Sequence, residues 1–113
     1  MSNVCKVFVM TDFKEVLKHL QGLEYVESFG KQCNGHDLYM YDEGARVLKR
    51  CPECDALILH QMSDYHNYCG NPDDQYYDAY FSVGSREEAI ELNEKYDGYQ
   101  IYKEFKGPHI FRG

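Results

Sequence analysis

Two cysteines separated by two residues, Cys51-Pro52-Glu53-Cys54, constrain this chain more than any other stretch of it. A Cys-x-x-Cys turn aims two sulfurs at one place, and thiolate is a strong ligand for borderline-soft metal ions. The competing use of such a pair is a redox dithiol. That chemistry calls for a helix N-terminus directly after the motif, where the helix dipole lowers the thiol pKa. Here the run that follows, Ala56 to Met62, is apolar and strand-like. The motif therefore points to structural zinc.

Zinc takes four donors at about 2.0–2.3 Å, so a second pair is needed. Cys33-Asn34-Gly35-His36 offers one, and His66 with Cys69 offers another at the same spacing. Asp37 to Tyr41 and Ala45 to Arg50 read as two strands around a three-residue connection, Asp42-Glu43-Gly44. A hairpin turning there returns Cys51 and Cys54 to the end where Cys33 and His36 lie. The run from Cys54 to His66 instead reads as one strand, which at ~3.3 Å per residue carries the chain about 30 Å away. Cys33, His36, Cys51 and Cys54 are thus the expected ligands. Such a set saturates the ion and leaves no site for a reactive water. No HExxH or HxE…PCxxC pattern accompanies it, and a non-enzymatic protein is expected. The alternative is a thiol redox or zinc-dependent enzyme module using Cys51 and Cys54.

Residues 33–54, about a fifth of the chain, resemble a zinc ribbon, in which two metal-binding knuckles cap adjacent hairpins. The resemblance implies ligand roles for those same four residues. Zinc ribbons serve nucleic-acid binding, protein binding and plain stabilisation alike. The chain departs from the pattern in two places: His36 stands where the first knuckle has its second Cys, and Asp55 stands where the other has Gly. Asp tolerates the positive φ of that position less well than Gly does.

Elsewhere the periodicity alternates between strand and helix. Val4 to Met10 reads as a buried strand. Asp12 with Glu15 caps a helix over residues 12–21, with Phe13, Val16, Leu17 and Leu20 on one face and Gly22 at its end. Tyr25 to Phe29 reads as a short strand and Gly30 to Gly35 as a loop. Residues 66–74 are loop-like, and Tyr76 to Val83 is an aromatic strand. Ser85 with Glu88 caps a second helix through Ala89, Ile90, Leu92 and Tyr96, followed by a strand from Tyr99 to Phe105 and a tail. The expected fold is one α+β domain over 1–113, an antiparallel sheet with two amphipathic helices and a zinc-knuckle hairpin at about 33–63. His19 falls on a helix face apart from the apolar stripe and reads as solvated. Cys5 reads as a small buried hydrophobe, and Glu53 as a solvated turn residue.

Nineteen acidic residues against 12 basic ones give a formal charge of −7. That field disfavours direct nucleic-acid binding and suits a protein partner with a basic surface. One version is an inhibitor that occupies a basic nucleic-acid groove. The acidic, aromatic stretch around Asp73, Asp74 and Asp78 is the expected contact surface, because Tyr supplies rigid area and Asp pairs with Lys or Arg. Arg46, Lys49 and Arg50 read as the solvent side of a strand. No apolar run is long enough to span a membrane. The start lacks a secretory layout, and five cysteines with a Cys-x-x-Cys pair suit a reducing compartment, so the cytoplasm is expected.

Overall fold

The structure, a computed structural model, describes residues 4–35, 40–67, 75–96 and 104–112. It is α+β. After a 3-10 turn, Lys6–Val9, come α1 (Phe13–Gln21), β1 (Glu24–Gly35), β2 (Met40–Cys51), β3 (Ala56–Asn67), β4 (Gln75–Val83), α2 (Arg86–Lys95) and β5 (His109–Arg112). The five strands form one sheet in chain order, each antiparallel to its neighbours. No helix is long and apolar enough to cross a membrane, among the described residues.

Helix boundaries follow their caps. The Asp12 carboxylate accepts from the backbone N–H of Lys14 at 2.9 Å and of Glu15 at 3.4 Å, satisfying donors that the first turn would leave unpaired. At the other end the Gly22 N–H donates to His19 O at 3.1 Å. In α2, Ser85 Oγ accepts from Glu88 N–H at 3.1 Å, while the Glu88 carboxylate reaches back to Gly84 N–H at 2.7 Å. The predicted capping box is present with its return bond displaced by one residue.

The two helices cover opposite faces of the sheet. On one face Val7 and Leu20 pack with Cys51, Ala56, Ile58 and Tyr80. On the other, Ala89 and Leu92 pack with Leu48, Leu59, Ala79 and Phe81. Successive strand residues point to opposite faces, so Ile58 and Leu59 enter different cores. That is why β3 begins as a near-continuous apolar run rather than an alternating one.

Four sequence expectations are corrected. The stretch read as a first strand is instead the 3-10 turn, closed by Phe8 N–H to Cys5 O at 3.2 Å and Met10 N–H to Val7 O at 3.4 Å. Its alternating burial, Cys5 and Val7 in and Lys6 and Val9 out, mimics a strand locally. Asp42-Glu43-Gly44 is not a turn: β2 runs straight through it, with Glu43 paired to Cys33 on one side and Asp64 on the other. Ladder bonds to two neighbours outweigh the local turn preference of three residues. Strand β1 accordingly takes in Gly30 to Gly35, with register shifts between Tyr25 and Glu27 and between Ser28 and Gly30. The tail is itself the fifth strand, with Phe81 opposite His109 and Tyr80 opposite Ile110; of the strand expected over 99–105, only Glu104 and Phe105 are among the described residues, and neither is in a strand. Phe105 contacts the Phe81 ring edge-on at 5.0 Å instead, and residues 97–103 lie outside the described set.

The supposed basic patch is divided in the same way. Lys49 projects to the α1 face; Arg46 and Arg50 project to the other. Arg46 is fully buried, donating through Nε to Gln61 Oε1 at 2.7 Å and through a terminal nitrogen to the carbonyls of Asn93 and Tyr96. It fastens the C-terminal end of α2 to the sheet. Arg50 is partly exposed and bridges Glu24 at 2.8 Å and Asp55 at 2.9 Å.

Candidate metal centre

Cys51 ends β2 and Cys54 closes the turn that leads into β3 at Ala56. Pro52 pre-sets φ in the first turn position. The Asp55 N–H returns to Cys51 O at 2.9 Å, and the Cys54 N–H donates to Cys51 Sγ at 3.4 Å. Asp55 has φ 55°, the sole positive value at a non-glycine among the described residues. This is the backbone of a metal knuckle, with Asp at the position glycine favours. Asp55→Val is expected to cost about 1–2 kcal/mol, since a β-branched residue tolerates that conformation worst, while Asp55→Gly leaves stability nearly unchanged. Chemical denaturation of the two variants reads the difference.

The other two donors are Cys5 and His19. Cys5 precedes the 3-10 turn, and His19 sits in the last turn of α1. Their contacts converge: His19 Nε2 lies 3.0 Å from Cys5 Sγ and 3.1 Å from Cys51 Sγ, and Cys5 Sγ lies 3.6 Å from Cys54 Sγ. All four ligand atoms fall within 4.8 Å of one another. A tetrahedral ion with metal–sulfur bonds near 2.3 Å and metal–nitrogen bonds near 2.0 Å sets edges of about 3.8 Å and about 3.5 Å. The sulfur pair is already at that size, and the imidazole needs to withdraw by about half an ångström. The residues therefore fit a metal ion held by three sulfurs and one nitrogen.

Burial is what the proton chemistry turns on. Cys5 and Cys51 are each 1% exposed and His19 is 9% exposed, with Cys54 half-buried. Desolvation, reinforced by the neighbouring thiols, pushes the Cys5 thiol up to about 12. The Cys54 thiol is held below its ordinary value, chiefly because the Lys6 backbone N–H points at its sulfur from 3.5 Å. Three adjacent thiols cannot all ionise unaided. A divalent cation bound here would supply the compensating charge and displace their protons, for a formal charge of −1 at the centre.

Of the residues expected from spacing, Cys51 and Cys54 are brought together here and Cys33 is not. Cys33 pairs with Glu43, eight positions along β2 from Cys51, about 26 Å at the strand rise. The reason is the long β2: it runs through Gly44 to Met40, so Cys33 on β1 falls toward the opposite end of the sheet. His36 lies outside the described residues, as do Asp73, Asp74 and Cys69. His66 is opposite Tyr41 at that far end, as the strand-length argument required. Asp78 is drawn inward, its side chain 14% exposed and its Oδ1 2.9 Å from His60 Nε2. The His60 ring in turn stacks on Tyr80 at 4.1 Å.

His19 and Cys5 were missed because each has an ordinary local reading. A faint signal was present. His19 follows Val16 by three and precedes Leu23 by four, which puts it on the flank of the apolar face rather than opposite it. Comparison of the chain with family models, with curated proteins and with solved structures gives no match.

Proposed function

We propose that this protein is a zinc-stabilised, non-catalytic binding protein whose partner is another protein with a basic surface. Three sulfurs and one imidazole nitrogen are the donors of closed structural zinc sites, which keep no position for water. The ion's role is architectural: it joins the N-terminal segment and α1 to the β2–β3 turn. A redox dithiol has no use for the added imidazole and third thiol.

The observation that carries the binding reading is the separation of charge along the chain. Register places Cys51 and Ala56 at one end, and Met40 and Asn67 at the other. Residues 30–44 and 63–77 contain six carboxylates and one lysine. That is a formal −5 of the chain's −7, together with six of its 11 tyrosines. Glu43 pairs with Asp64, and Asp64 pairs with Tyr76. Segments so acidic and tyrosine-rich suit a positively charged protein groove, including one that otherwise receives nucleic acid.

The metal half of this reading is tested by metal analysis with thiol titration: one zinc per chain, and thiols that become reactive only after chelation. A metal-free protein with an easily oxidised Cys51–Cys54 pair would favour the enzyme or redox reading. The binding half is tested by capture from the native cell with wild type and with the double variant Asp73→Lys, Asp74→Lys. The expected result is a partner lost from the variant at unchanged zinc content; a partner retained equally by both contradicts the charge argument.

A further inference from the structure

Glu53 lies between the two knuckle cysteines, yet both of its oxygens are engaged by other elements. Oε2 lies 3.4 Å from His19 Nδ1, the ring nitrogen that faces away from the sulfurs. Oε1 accepts from Lys6 Nζ at 3.1 Å. Lys6 is also the residue whose backbone N–H meets Cys54 Sγ. One carboxylate thus addresses the two segments that supply the distant donors. We propose that Glu53 is a positioning residue for the metal centre: its carboxylate holds the proton of His19 on Nδ1, which leaves the Nε2 lone pair facing Cys5, Cys51 and the ion.

The physics is that of a neutral imidazole, in which one nitrogen carries the proton and the other is the ligand. A carboxylate behind the ring fixes that choice, restricts ring rotation and raises the basicity of the ligating nitrogen. Lys6 aims Glu53, its Nζ donating to Oε1 at 3.1 Å while Oε2 faces the His19 ring. The side chain is 62% exposed, so its removal opens no cavity in the core. A turn residue with only a solubilising role would be replaceable without effect on the metal.

The inference rests on the zinc reading above and is tested by competition of the full-length protein with a chromophoric chelator for Zn²⁺. Glu53→Ala is expected to weaken zinc binding by about 10–100-fold, and Glu53→Gln, which keeps an oxygen at similar reach, to fall between that variant and wild type. Two-bond ¹⁵N–¹H correlations of the zinc-loaded protein are expected to show His19 protonated at Nδ1 in wild type. Equal zinc affinity in wild type and Glu53→Ala, or a His19 ring ligating through Nδ1, overturns the assignment. Failure of the wild type to hold zinc is a separate result and would instead overturn the metal reading.

Discussion

Cys51→Ser is expected to lower the melting temperature by more than 10 °C at equal zinc supply. Cys51 is 1% exposed, touches the His19 ring at 3.1 Å and accepts the Cys54 N–H. A hydroxyl there is a poor ligand, and metal-binding free energy is folding free energy when the site does not exist in the unfolded chain. A loss of about 4 kcal/mol, with roughly 3–5 °C per kcal/mol for a chain of this size, gives that shift. Cys5→Ser and His19→Ala are expected to behave alike, because each removes one of four donors from the same ion. Cys33→Ser is the control, since its strand position is about 26 Å from Cys51 and its zinc content should match wild type. Calorimetry of the four variants, with zinc measured in parallel, separates a shared centre from independent packing effects.

Arg46→Ala is expected to cost about 3–5 kcal/mol without changing zinc content. The guanidinium is fully buried. Its bonds to Gln61 Oε1, Asn93 O, Asn93 Oδ1 and Tyr96 O join α2 to the middle of the sheet. Truncation leaves the buried Gln61 oxygen and the partly buried helix-end carbonyls without that donor, and opens space for most of a long side chain. Arg46→Met restores the aliphatic volume but none of the donors, so it recovers only part of the loss. The measurement is denaturant unfolding together with amide exchange. Protection should fall first across Arg86–Lys95, the helix that Arg46 fastens. Uniform loss of protection over the sheet and both helices would contradict this local role.

The sequence revealed features set by neighbouring residues. Asp12 and Ser85 announce their helices, and both cap as expected. Cys-Pro-Glu-Cys followed by a strand announces a knuckle, including the positive φ at Asp55. What was not legible depends on partners remote in the chain. Asp42-Glu43-Gly44 has turn chemistry, but a strand bonded on both edges overrides it. That one misplacement put Cys33 beside the knuckle and sent the search for ligands down the wrong strand. Cys5 and His19 reach Cys51 over separations of 46 and 32 positions in the chain, which no local spacing encodes. Arg46 reads as solvent-facing by its charge, yet it shares a face with Leu48 and is buried because α2 folds over that face.

In the proposed centre three sulfurs and one nitrogen meet at one zinc. X-ray absorption at the zinc edge of the purified protein measures that directly. Three sulfurs near 2.3 Å and one nitrogen near 2.0 Å are predicted, with one sulfur lost in Cys5→Ser and none lost in Cys33→Ser. A spectrum with an oxygen donor in wild type, or one that Cys5→Ser leaves unchanged, would contradict it.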